Sequence, residues 1–231
     1  MRKYYKYLRH LLRIRHHHIL LMSYPKAGST WLRFIIYYAT IDSSECNKIM
    51  MNSIMPELGV HMSGSSNWIK SHNRLFEKFF TKKVYLVRDP RNVALSYYRY
   101  NKIKGHISPK LTFSEFIRSS EYSFTSICSH FDNARGYYLL KYESLRKDPV
   151  GELQRLFQAL NVEYCDDKID NAVRLTNIDR MRKNESVTGT SESVKFFGKG
   201  KSEFSINEVD YLDLNYMNDI MQKHEIGRLY L

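Results

Sequence analysis

The chain has 231 residues, of which 43% are hydrophobic and 26% charged; that usage fits one globular domain and excludes a disordered chain. No apolar run approaches the roughly 18 residues of a spanning helix, and three cysteines without a CxxC pair (Cys46, Cys128, Cys165) indicate neither a zinc site nor a disulfide framework. A net charge of +12 favours an anionic ligand, an acidic glycan, nucleic acid or an anionic membrane surface, without choosing among them.

Residues 1–18 contain six basic residues among tyrosines and leucines and no acid. They read as a basic extension, either a solvated surface helix or an amphipathic one touching a membrane or polyanion. Ile19 to Met22 is a short apolar run ending at Tyr24-Pro25, a buried strand feeding a turn, and Trp31 to Tyr38 is apolar nearly all round, a helix buried against a sheet. Asn67 to Lys70 is a second, weaker strand; Val84 to Val87 is a third, stopping at Arg88-Asp89-Pro90, where Asp89 can cap a helix begun by Pro90. Thr112 and Glu115 have capping-box spacing. Tyr137 to Tyr142 is β-like, and Asp148-Pro149 starts a helix with Val150, Leu153, Leu156, Phe157 and Leu160 on one face. Val187 to Phe204 reads as a mobile loop. Ser205 and Glu208 repeat the capping-box spacing before a last helix carrying Val209, Leu212, Tyr216, Met217 and Ile220. Strands alternating with helices predict a single α/β domain from residue 19 to 231, with a central, mostly parallel sheet flanked by helices and ligands held at the carboxyl ends of the strands.

The motifs fall at those ends. Tyr24-Pro25-Lys26-Ala27-Gly28-Ser29-Thr30-Trp31 lies between a strand and a helix N-terminus, where backbone N–H groups and the helix dipole favour an anion. Gly28 permits close approach, Ser29 and Thr30 add hydroxyls, and Lys26 supplies charge. The GxxxxGK[ST] order of nucleoside triphosphatases is absent. Arg88 leaves the third strand, and Ser96 lies two turns into the following helix.

YPKAGSTW resembles the 5′-phosphosulfate loop of sulfotransferases that use 3′-phosphoadenosine 5′-phosphosulfate (PAPS), usually YPKSGTTW, and RDPRNVALSYY (88–98) resembles that family's 3′-phosphate motif. The resemblance implies a P-loop-like nucleotide fold, PAPS as donor cosubstrate and no metal. Lys26, Ala27, Gly28, Ser29, Thr30, Trp31, Arg88 and Ser96 would then bind the nucleotide. Ile69-Lys70-Ser71-His72 resembles the segment with the family's catalytic histidine. His72 is the implied general base, with Lys26 stabilising charge on the leaving group and Lys70 sharing that duty. Histidine suits proton removal because its ordinary pKa is about 6.5. Tyr142, in Tyr142-Glu143-Ser144-Leu145, matches the family's tyrosine-led stretch, and Thr176 and Ile178 align with residues that hold and stack on adenine. Phe197-Gly198-Lys199-Gly200-Lys201 resembles the loop that closes over the 3′-phosphate, with Lys199 flanked by Gly198 and Gly200; the family's second glycine and tryptophan there are missing. The family's short dimer motif has no evident counterpart, so no oligomeric state is assigned.

The implied activity is sulfuryl transfer to a hydroxyl or amine of a small-molecule or glycan acceptor in the cytoplasm, with no nucleic acid as partner. The alternatives are a small nucleotide-dependent kinase, or a non-enzymatic basic module for nucleic acid or acidic glycan. The acceptor pocket is expected from segments 44–66, 97–110 and 120–135, which hold Tyr97, Tyr98, Tyr100 and Phe124 beside Lys102, Lys104 and His106.

Overall fold

The computed structural model describes residues 17–40, 67–132, 134–177 and 209–231. Strands β1 (Ile19–Met22), β2 (Trp68–Ser71), β3 (Lys82–Val87) and β4 (Tyr138–Lys141) form one parallel sheet in the order β2-β1-β3-β4. The chain starts in the middle at β1, steps to β2 on one side, then crosses to β3 on the other. That reversal opens a crevice at the carboxyl end of β1, where α/β sheets bind ligands.

β1 is buried along its whole length because both faces of the sheet are covered. Its side chains alternate between two cores, as the twofold period of a strand requires. Ile19 and Leu21 pack with Val84 and Leu86 beneath α1 (Ser29–Thr40), α6 (Pro149–Ala159) and α7 (Asp166–Leu175). Leu20 and Met22 face the opposite side with Ile69, Tyr85 and Val87. That core is closed by α2 (Pro90–Ile103), α3 (Phe113–Arg118), α4 (Phe124–Ser129) and α8 (Tyr211–Gln222).

Local chemistry fixes several helix starts. Asp89 caps α2 by accepting the Arg91 amide, with Pro90 in the first turn; Thr112 and Glu115 form the full capping box of α3; Asp148 caps α6 by accepting the Gly151 amide. On α6, Leu153, Leu156 and Phe157 are fully buried, as the spacing predicts.

Three expectations need correction. The β-like run to Tyr142 stops at Lys141, and Tyr142 opens a short helix, α5 (Tyr142–Lys147). The last long helix is capped by Asp210, whose carboxylate accepts the Leu212 amide; Ser205 and Glu208 lie outside the described residues. That start turns Asp213, Met217, Ile220 and Met221 inward and leaves Leu212 72% exposed. Phe124 is completely buried in the core rather than lining a pocket. Segments 44–66 and 187–204 are likewise outside the described residues.

Candidate active site

The loop after β1 is a turn in which the Ala27 amide donates to the Tyr24 carbonyl (3.3 Å). Lys26 has φ 68° and Gly28 φ 103°. A left-handed lysine costs about 1–2 kcal/mol, and its carbonyl is held by the Arg88 guanidinium, whose Nη1 donates to it at 3.2 Å. Gly28 is required twice over: by its φ and by the ring of Tyr142. A Cβ built at position 28 would lie 2.6 Å from Cδ2 and Cε2 of that ring. α1 then starts at Ser29 with no acidic residue in its first turn, so the amides and dipole at that end are not neutralised by a carboxylate of their own helix.

Arg88, at the carboxyl end of β3, lies over the Tyr142 ring with Cζ 4.5 Å from its centroid. The neighbouring acid, Asp89, pairs with Arg91 at 2.8 Å. Tyr142 meets Trp31 edge-on, with centroids 6.0 Å apart, and the Arg146 guanidinium stands 5.2 Å above the Trp31 ring. The Trp31 indole donates to the Thr176 carbonyl at 2.9 Å. Thr176 is fully buried and its hydroxyl donates to the Ala172 carbonyl. Trp31 is 8% exposed and sits in the loop-proximal turn of α1, packed against Tyr142 and bonded to Thr176 as part of the core.

His72 is the first residue beyond β2. Its Nδ1 lies 2.6 Å from the Ser23 carbonyl. A carbonyl only accepts, so Nδ1 carries the proton and the lone pair of the neutral ring is on Nε2. Lys70 is buried on β2, two positions earlier. Ser96 is half-buried on α2, and Tyr100, one turn further on the same face, holds the Lys26 ammonium 4.3 Å from its ring centroid.

The described candidates therefore converge from all four strand ends: the Lys26 loop from β1, His72 from β2, Arg88 from β3 and Tyr142 from β4. Ala27 is buried beneath the loop, and Thr30 is half-buried in the first turn of α1. Ile178, Gly198, Lys199 and Gly200 lie outside the described residues. Among the aromatic residues expected to line an acceptor pocket, Tyr97 packs on Phe116 and Tyr122, while Tyr98 donates to the Leu111 carbonyl and packs on Phe113. Both serve the core.

Residues that sequence reasoning missed include His130 and Tyr85. His130 Nε2 lies 2.9 Å from the His72 carbonyl, and its Nδ1 is in contact with the Tyr85 hydroxyl. Burial pulls the His130 pKa down and pushes the Tyr85 hydroxyl up. Tyr24, packed edge-on against His130, is pushed by burial, with Tyr97 adding, up to about 12. No motif marks His130; only the fold brings it within reach of a segment 58 residues earlier.

The sulfotransferase domain model matches residues 16–227. Mouse sulfotransferase 1B1 is 25% identical over 216 residues, covering 80% of this chain and 72% of the mouse protein. Rat sulfotransferase 1 family member D1 is 22% identical over 242 residues, with 86% and 82% covered. Mouse sulfotransferase SULT7A1, solved with adenosine 3′,5′-bisphosphate (PAP), superposes with a TM-score of 0.71 at 17% identity, covering 97% of this chain and 92% of that one. Retinol dehydratase, solved with androsterone and PAP, gives 0.73 at 17% identity over 94% and 84% of the two chains. A strand–loop–helix opening, four parallel strand ends carrying the candidate residues, and a domain match over residues 16–227 lead to one conclusion: this chain is a member of the sulfotransferase family.

Proposed function

We propose that the protein transfers a sulfuryl group from PAPS to a hydroxyl or amine of a small-molecule or glycan acceptor, with His72 as general base. The observation that carries the reading is the pinned His72 ring, with Nδ1–H on the Ser23 carbonyl and the basic nitrogen on the opposite side of the ring. It stands at the strand end beside the Lys26 loop. The residues present suit PAPS. Gly28 lets the Tyr142 ring close against the loop, a helix start without acid favours a 5′ anion, and Arg88 with Ser96 would take the 3′-phosphate. Trp31, Tyr142, Thr176 and Ile178 would hold adenine, and Gly198, Lys199 and Gly200 would close on the 3′-phosphate.

In the transfer, His72 Nε2 accepts the acceptor's proton as the new O–S or N–S bond forms and the bond from sulfur to the bridging phosphate oxygen breaks. Lys26 stabilises the charge gathering on that oxygen, and buried Lys70 assists from β2. Positioning and electrostatics supply most of the rate in such loose transfers. Androsterone in the retinol dehydratase structure supports a small-molecule acceptor. Free Cys128 and Cys165 support a reducing, cytoplasmic setting, and β1 beginning at Ile19 supports a domain of 19–231 after a basic extension of 1–18. That extension would touch a membrane or polyanion peripherally. Among the described residues, no helix is long and apolar enough to cross a membrane.

Calorimetry tests the donor site. PAP should bind, and Arg88→Ala should weaken it. ATP with magnesium binding more tightly than PAP would favour a kinase, and no bisphosphate binding with salt-sensitive affinity for polyanions would favour a binding module. Labelled PAPS against phenols, steroids, amines and oligosaccharides would then identify the acceptor.

A further inference from the structure

We infer that His130 is a positioning residue for His72, holding the backbone of the base segment in register with the donor loop; the inference rests on the reading of His72 as the base. His72 lies where the β2 ladder has ended, so the sheet no longer fixes it. Among the described residues, three contacts stand in for the ladder. The ring is held by the Ser23 carbonyl at 2.6 Å. On either side, the Ser71 hydroxyl donates to the Asn73 carbonyl (2.7 Å) and accepts the Asn73 amide (2.9 Å), closing a small turn around His72. The third restraint is the His72 carbonyl itself, which lies 2.9 Å from Nε2 of His130, the C-cap residue of α4.

The hydrogen-bond roles around His130 follow from the partners. A carbonyl accepts only, so His130 Nε2 carries the proton and the ring donates there. Its neutral Nδ1 then accepts from the Tyr85 hydroxyl of β3. The flanks of the ring are closed by aromatic edges: Tyr24 of the donor loop stands at 5.4 Å and 88°, and Tyr85 at 5.8 Å and 61°. One imidazole thus touches the exits of β1 and β2 and the body of β3. It ties the base segment to the loop that carries Lys26. A catalytic group held within about 0.5 Å by its supporting contacts is what proton transfer requires, and displacement by about 1 Å can cost ~10²-fold in rate.

The test uses the full-length protein with PAP bound and imidazole ¹⁵N NMR, which needs no acceptor; His72→Gln assigns the His72 signals. In the wild type, His72 should show a single neutral tautomer protonated at Nδ1. His130→Ala should replace it with mixed tautomers, while His130→Gln, whose amide nitrogen can donate to the same carbonyl, should restore it. With the acceptor found in the panel, kcat should fall about 10–100-fold in His130→Ala, with PAP affinity unchanged and most of the rate recovered in His130→Gln. If His130→Ala fails to fold, Tyr85→Phe, which removes the partner that fixes the His130 tautomer, should give the same mixing to a smaller extent. An unaltered His72 tautomer in His130→Ala, or in Tyr85→Phe where His130→Ala does not fold, overturns the inference, as does equal loss of PAP affinity and melting temperature in His130→Ala and His130→Gln. The base reading fails separately, if His72→Ala still turns over at the wild-type rate.

Discussion

Glu143 accepts the Tyr230 hydroxyl on Oε2 at 2.8 Å, while its Oε1 accepts the Asp89 amide at 3.0 Å. One carboxylate thereby joins the last turn of the chain to the start of α2, the helix that carries Ser96. Burial, with the negative charge of Glu143 adding, pushes the Tyr230 hydroxyl well above its ordinary range, so it remains a donor. Arg91 reinforces the junction, donating to the Tyr230 carbonyl and to Asn218 while pairing with Asp89.

Replacing Glu143 with alanine leaves a buried amide and phenol without that acceptor. The expected loss is about 1–3 kcal/mol, read as a lower melting temperature by ~2–4 °C for each kcal/mol in a chain of this size. Thermal denaturation checks it. A variant melting with the wild type would show that the junction adds nothing to stability.

Gly28→Ala meets two obstacles, a backbone at φ 103° and the Tyr142 ring at 2.6 Å. Backbone strain alone is about 1–3 kcal/mol, and relief requires moving Tyr142 or opening the loop, either of which disturbs the proposed nucleotide site. PAP affinity should fall by at least about tenfold, the equivalent of ~1.4 kcal/mol, as measured by calorimetry. Wild-type affinity would mean that the loop does not contact the nucleotide as proposed.

His72→Ala should lower kcat by about 10²–10⁴-fold, the usual contribution of a proton-transfer group, and leave PAP binding nearly intact. The two readouts separate a role in proton removal from a role in holding the donor. Equal losses in both would assign His72 to binding instead.

Acidification should destabilise the fold in two stages. Burial lowers the folded pKa of His130 below its ordinary 6.5, so the unfolded chain binds the extra proton first. Its contribution is fully present above 6.5 and is lost as pH falls through the folded value. For Glu77, burial pulls upward, but hydrogen bonds from Arg74 and Tyr137 outweigh it and hold the carboxyl below 4.5. Its contribution is present above 4.5 and disappears lower still. Urea midpoints measured against pH should show both stages, and His130→Gln should flatten the upper one while leaving the lower. A His130→Gln profile matching the wild type would remove His130 from that account.

Where local pattern coincides with tertiary demand, the sequence was legible. The apolar run at 19–22 must be a central strand because polar flanks leave it no other way to bury four side chains. Asp89-Pro90 and Thr112…Glu115 carry their own capping chemistry, so α2 and α3 begin where their residues say. Tyr142 was harder. A β-like run gives no sign of where pairing stops, and the strand ends one residue earlier because α5 starts there. The cap of α8 went unseen because Asp210 follows an earlier pair with equally good spacing, and only packing against α4 selects the face that is buried.

The sequence by itself determined the chemistry at each strand end: a lysine turn, a histidine, an arginine and a tyrosine, each written in a short contiguous stretch. Tertiary structure alone decided how those stretches are held. The proton on His72 is placed by the Ser23 carbonyl, the Lys26 ammonium rests on Tyr100, and Gly28 is compelled by a ring 114 positions away in the chain. A hydrogen bond or close contact depends on distance in space, and spacing along the chain encodes that distance only within a helical turn or across a tight loop.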